Sequence, residues 1–140
     1  MNQLINSTKF TPAVTVTAGA AGTTDITGTV IDTAGFGGVA FIAQLGAIVS
    51  GAVTSIKVQE CATSNGTFTD VTGLSLTIAD TDDEDIKVLD YRKPAKRYVL
   101  LYVDRATQNA TISAIAALYG AREQVAAQVA STTVVAGVSG

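Results

Sequence analysis

Short runs of alternating apolar and polar residues, broken by Gly, Asn and Asp about every 8–12 residues, dominate this chain. The alternation predicts strands over 13–17, 26–31, 39–47, 53–60, 67–71, 85–91, 97–104 and 110–119, with an extra short strand over 74–78. The apolar residues are mostly Ala, Val and Ile, and Thr is abundant. Val, Ile and Thr are stiff at χ1 and suit a pleated surface better than a helix. Asn65-Gly66 predicts a hairpin between 53–60 and 67–71, because both residues tolerate φ > 0. Pro94 cannot donate to a ladder and marks a connection, and Gln108-Asn109 turns the chain between the last two strands. No long helical crossover separates the strands, so the pairing is antiparallel. The expected fold class is all-β: an antiparallel β-sandwich, a jelly-roll, with extended N- and C-terminal arms and at most one short C-terminal helix.

The expected organisation is an N-terminal arm over 1–12, a sandwich over 13–120 and a C-terminal arm over 121–140. Leu4, Ile5 and Phe10 are the large apolar groups of the first arm. In the second, 121–130 contains good helix formers with Val125 and Val129 at i, i+4. Ten residues are marginal alone, so that helix needs a partner surface. Residues 131–140 are small, uncharged and end in Gly, with Val134 and Val135 as the apolar pair. The stretch 17–24, Thr-Ala-Gly-Ala-Ala-Gly-Thr-Thr, reads as a low-complexity linker or long loop rather than part of the core.

Between Asp32 and Lys57 lie 24 consecutive uncharged residues, long enough for a membrane span. Gln44, Ser50 and several Gly interrupt them and no Lys/Arg cluster flanks them, so two buried strands joined by a hairpin through Ser50-Gly51 are expected instead. The first residues carry no basic n-region and no continuous apolar stretch, which argues against a cleaved secretion signal.

Composition narrows the chemistry. The 140 residues suit one domain, with room for a core that needs no staples. Cys61 is the only cysteine and there is no His, which excludes a disulfide framework, a Cys/His metal cage and a Ser-His-Asp triad. With 9 basic and 12 acidic residues the net charge is −3, against a dedicated nucleic-acid binder. No reaction and no cofactor are expected.

Four features remain as candidate sites. Asp80-Thr-Asp-Asp-Glu-Asp85 offers carboxylates to a hard cation, but lacks the Gly and closing Glu of a calcium loop and reads as a solvated turn. Gly35-Phe-Gly-Gly-Val-Ala40 fits the dinucleotide fingerprint in letters only, since an alternating strand and not a helix follows it. Cys61 lacks a base and reads as a small, partly buried hydrophobe. The basic cluster is Arg92-Lys-Pro-Ala-Lys-Arg97, in which Arg92, Lys93 and Lys96 can meet an acidic patch on a protein partner.

Two resemblances follow from longer stretches. Val58-Gln-Glu-Cys-Ala-Thr-Ser-Asn-Gly-Thr-Phe-Thr-Asp-Val71, Arg97-Tyr-Val-Leu-Leu101 and Ile112-Ser-Ala-Ile-Ala-Ala-Leu-Tyr-Gly120 resemble the second half of discoidin-like (coagulation factor 5/8 C-type) jelly-roll modules. Phe68 stands where that family has Trp, and Leu100 where it often has a second Arg. Residues 28–36 (Gly-Thr-Val-Ile-Asp-Thr-Ala-Gly-Phe), 39–44, Gly46-Ala-Ile and Gly51-Ala-Val-Thr look like small proteins encoded beside the major capsid protein of tailed bacteriophages, which decorate and cement capsids.

This second resemblance implies a protein of the virion's capsid exterior, made in the host cytoplasm. Its partners would be the major capsid protein and itself, as dimer or trimer, with no nucleic acid and no membrane. A cement must bind the assembled lattice better than its parts, so that mass action favours the shell. The arms supply apolar anchors in Leu4, Ile5, Phe10, Val125, Val129, Val134 and Val135, chosen by apolarity and position. Strand addition by 132–136 to an open sheet edge is one route. The alternative is a carbohydrate- or ligand-binding sandwich of a fibre or adhesin.

Overall fold

The computed structural model describes residues 4–122. One helical turn, α1 (Leu4–Ser7), precedes β1 (Lys9–Val14), β2 (Ile26–Thr27), β3 (Ile31–Asp32), β4 (Gly38–Ile48), β5 (Val53–Cys61), β6 (Thr69–Ile78), β7 (Ile86–Arg92), β8 (Tyr98–Ala106) and β9 (Ala110–Tyr119). One sheet has the order β1-β9-β4-β7 and the other β2-β8-β5-β6, with β3 also paired to β8. Every pairing between these strands is antiparallel.

β2 and β3 act as one interrupted strand. Thr27 pairs with Tyr102 and Ile31 with Val99, so four steps on one side span three on β8. At the break, the Gly28 N–H donates to Leu101 O while the Thr29 N–H donates to Ala13 O in the opposite sheet. A Cβ on Gly28 would lie 2.3 Å from Leu101 O and 2.8 Å from Ala13 O, so glycine alone lets the sheets meet there. With β2 and β3 counted as one, the first, eighth, third and sixth strands face the second, seventh, fourth and fifth. That is the two-sheet order of a jelly-roll.

Alternation builds the core. Val39, Phe41, Ala43 and Leu45 of β4 point inward with Ile112, Ala114, Ala116 and Leu118 of β9, against Ile56 and Val58 of β5 and Val99, Leu101 and Val103 of β8. Val, Ile, Leu and Ala side chains, with Phe41, fill the space between two sheets about 10 Å apart.

Several expectations change. The first strand begins at Lys9, so residues 9–12 of the expected arm pair with β9, and Thr15 to Thr17 lie outside the strand. Pro12 is tolerated because β1 is an edge. The two short strands over 67–71 and 74–78 are one strand, β6, bulged where Gly73 takes φ 84°. Ser50-Gly51 does not close a hairpin. Its turn carries the chain from β4 in one sheet to β5 in the other, and the two strands do not pair.

Asn65-Gly66 lies in the β5–β6 hairpin loop, but neither residue has positive φ. Glycine is needed there for closeness instead: a Cβ on Gly66 would meet Thr63 Oγ1 at 2.5 Å and Cys61 Sγ at 2.6 Å. The 17–24 stretch is a long loop, and it is pinned in place. Ile112 N–H donates to Gly19 O and Ala110 N–H to Gly22 O, so the loop continues the pairing of β9 beyond β1. Arg105, 6% exposed, holds it: Nε donates to Thr24 O, and Nη1 to both Ala20 O and Ala110 O. Of the expected helix over 121–130, only Ala121 and Arg122 are described, and they are not helical.

Candidate functional site

The two outer faces of the sandwich differ in kind. On the five-stranded sheet the outer face is a polar network. Lys57 Nζ lies 3.2 Å from Asp70 and 3.6 Å from Asp104, and 5.1 Å over the Tyr102 ring. Gln59 donates to Asp70, Ser55 to Asp104 and Tyr102 to Asp25. The amide of Gln59, with Lys57, lowers the Asp70 pKa, and Asp70 in turn raises that of Lys57. These groups satisfy one another.

The outer face of the four-stranded sheet carries an apolar row. Register places Val88 opposite Ile42, Ile42 opposite Ile115, and Ile115 opposite Pro12, a row that crosses all four strands. The next row runs Asp90, Ala40, Ala117 and Phe10. Ile86, Val88 and Ile115 are 61, 53 and 46% exposed. Cross-strand contacts of this kind make the row one continuous surface. Such a row is a candidate interaction surface.

Four of these row residues, Pro12, Ile42, Val88 and Ile115, were not singled out by sequence reasoning. For Ile42 and Ile115 the signal was present as strands apolar on both faces, in 39–43 and 112–118, where one buried face would suffice.

The basic cluster sits at one end of the sandwich. Gly38 pairs with both Arg92 and Tyr119, and Lys9 pairs with Leu118, so α1, the basic loop and Arg122 all lie at that end. A cavity of about 630 Å³ opens there between the 33–37 turn, Lys93, Pro94, Arg97 and Arg122. Arg97 is committed to Asp32 by two 2.8 Å bonds, which hold the Asp32 carboxyl below its usual range. Tyr91 donates to Glu60 and accepts from Ala95 N–H, which fixes the loop against the β5–β6 hairpin. Burial, more than Glu60, pushes the Tyr91 pKa up. Lys96 reaches Thr69 at 3.5 Å. Among the described residues Arg92, Lys93 and Arg122 form no ion pair.

Of the expected anchors, Leu4 is 64% exposed on α1, Ile5 is half-buried, and Phe10 lies on the apolar outer face. Val125, Val129, Val134 and Val135 lie outside the described residues. The acidic loop is at the opposite end. Asp80 accepts from Gly51 N–H, Asp83 from Ile48 N–H, and Asp82 from Ala79 N–H and Lys87. Its carboxylates therefore brace the β4–β5 turn. No group of three metal-ligating side chains converges among the described residues. Gly35, at φ 87°, turns the chain into β4, with no helix N-terminus beside it. Cys61 is buried at the hairpin, 3.8 Å from Thr63 Oγ1, and hydrogen bonding by the Thr63 N–H lowers its pKa.

No helix among the described residues is long and apolar enough to cross a membrane. No protein-family model matches the chain, and no curated protein matches it significantly.

Proposed function

We propose that this chain is a structural virion protein that binds the outer surface of a phage capsid, cements neighbouring capsomers and associates with itself. The observation that carries this reading is the apolar row Val88–Ile42–Ile115–Pro12 on one face of a jelly-roll whose opposite face is internally satisfied. A surface of that kind is stabilised by being covered, and a protein shell offers a repeated cover. Many copies bound only to the assembled lattice stabilise it by mass action. The likeness of 28–36 and 39–44 to proteins encoded beside major capsid proteins supports the same reading. Arg92, Lys93 and Lys96 orient the encounter with acidic shell surface. No reaction and no cofactor are assigned to it.

The test mixes purified protein with capsids that lack it, then follows co-sedimentation and shell melting. Binding with a raised shell melting temperature is expected, lost in Ile42→Lys and Ile115→Lys chains that keep their fold. Glycan binding without capsid affinity would overturn this reading in favour of a carbohydrate-binding module. That alternative draws on exposed aromatic faces. Here Lys57 lies over the Tyr102 ring and Arg97 over the Tyr98 ring.

A further inference from the structure

The charges of this chain are parted between the two ends of the sandwich. At one end Asp80, Asp82, Asp83, Glu84 and Asp85 share a loop, where Lys87 bridges Asp82 and Asp85. Asp80 and Asp83 accept backbone N–H bonds that leave their charge in place. At the other end Lys93, Arg97 and Arg122 line the cavity, and Arg97 is neutralised by Asp32. Strand β7 lies between the two groups, and its seven residues, at about 3.3 Å each, hold them roughly 20 Å apart. That exceeds the screening length of about 10 Å at 0.1 M salt, so neither end satisfies the other within one copy.

Backbone conformation singles out one residue at each end. Among the described residues three that are not glycine take positive φ: Glu84 at 63°, Lys93 at 49° and Thr107 at 73°. A residue with a Cβ is disfavoured there and stays only where its surroundings hold it. Thr107 turns the chain between β8 and β9. Glu84 is clamped, since its N–H donates to Gly46 O and Gln44 Nε2 donates to its carbonyl at 2.9 Å. The Lys93 N–H donates to Gly37 O at 2.8 Å. Each clamp presents an exposed, charged side chain that forms no ion pair among the described residues.

We propose that copies of this chain associate head to tail, with the Glu84 tip of one copy seated in the Lys93–Arg122 cavity of the next. The carboxylate there meets two cations, and Phe36 and Pro94 wall the cavity beside them. Water excluded by that wall strengthens the attraction over what open solvent allows. A contact between unlike ends does not close in a pair. Two copies leave one tip and one cavity unfilled, so further copies add until a ring closes, and the smallest such ring is a trimer. Arg92 and Lys96 do not line the cavity and stay outside this contact.

This deepens the self-association in the function proposed above, and its test uses no capsid, so the two can fail separately. Sedimentation of the full chain should show multiples of the 14.2 kDa chain mass, passing beyond the dimer as concentration rises to about 1 mM. The assemblies should recede at about 1 M salt, where screening shortens to about 3 Å. Glu84→Gln and Lys93→Gln should each weaken association about tenfold with melting temperature kept. Mixed, these two variants should form a 1:1 pair that grows no further, because one contact is intact and the other has lost both charges. If Lys93→Gln does not fold, Arg122→Gln takes its place in the mixture. A chain that stays monomeric overturns the proposal. In that monomer, a Lys93 that resists acetylation puts residues 123–140 in the cavity, and binding of an oligoglutamate peptide puts an acidic protein partner there. A particle that stops at twice the chain mass, association indifferent to Glu84→Gln, or a mixture that pairs no better than either variant alone also overturns it.

Discussion

Tyr119 reaches across β4 to donate its hydroxyl hydrogen bond to Asp90, two strands away. Its ring can lie there because the residue beneath is Gly38, where a Cβ would sit 2.4 Å from Tyr119 Cζ. One glycine thus permits a tie between the middle of the sheet and its open edge.

Gly38→Ala and Tyr119→Phe should therefore report the same interaction. Each is expected to cost about 1 kcal/mol in denaturant unfolding, the worth of a partly exposed hydrogen bond. The double variant should lose less than the sum, since either change alone removes the tie. Additive losses would show that Gly38 serves something else.

Burial, and then the Asp90 carboxylate, push the Tyr119 pKa from 10.0 up to about 12. A folded-state value above the unfolded one means that this stabilisation is fully present below the unfolded pKa of 10.0 and is lost as pH rises through about 12. Thermal melting of wild type and Tyr119→Phe across that window should converge. On the acid side Asp32, Asp70 and Asp82 are all lowered, by Arg97, Gln59 and the Ala79 N–H respectively. Their contribution is present above the usual 3.8 and declines as pH falls through their lower folded values.

Arg105 is the main polar group inside the fold, and it binds three carbonyls rather than a carboxylate. Desolvation lowers its pKa. Arg105→Met should destabilise the chain by about 1–3 kcal/mol, because the buried Ala110 carbonyl and two part-buried carbonyls lose their donor. Exchange at Ala110 and Ile112, whose amides bond Gly22 and Gly19, should rise before global unfolding. Unchanged exchange there would mean that the loop is held without the guanidinium.

Gly19 is a sharper test of that loop. A Cβ there would lie 1.5 Å from Ile112 O, so Gly19→Ala must displace the loop from β9. Gly35→Ala meets no atom within 4 Å and is strained only by its φ of 87°. The Gly19 variant should melt well below the Gly35 variant.

Truncation separates attachment from folding at the N-terminus. A chain starting at Lys9 keeps all of β1, whereas one starting at Pro12 loses the pairs of Lys9, Phe10 and Thr11 with β9. Melting temperature should fall further in the second, since the first gives up only the buried Thr8 and the half-buried Ile5. Loss of capsid binding already in the first would place an anchor in α1, at Leu4 or Ile5.

The strands were legible where one face is apolar and the other polar, as in 53–60, since burial and period 2 then give one signal. Their partners were not. The Ser50-Gly51 turn has the chemistry of a hairpin yet sends its strands into different sheets, because local φ is satisfied in both cases. The outer apolar row was hidden for a related reason. Ile42, Val88 and Ile115 stand far apart in sequence, and register alone sets them side by side.

By itself the sequence determined an all-β sandwich, the positions of most strands, the basic and acidic loops, and the absence of His and of a second Cys. Those properties follow from residue type and alternation, which each short segment carries alone. Tertiary structure decided the jelly-roll order, the buried Arg105 brace, and which face is left uncovered. Each of these is a relation between distant segments, fixed by how two sheets close over one core.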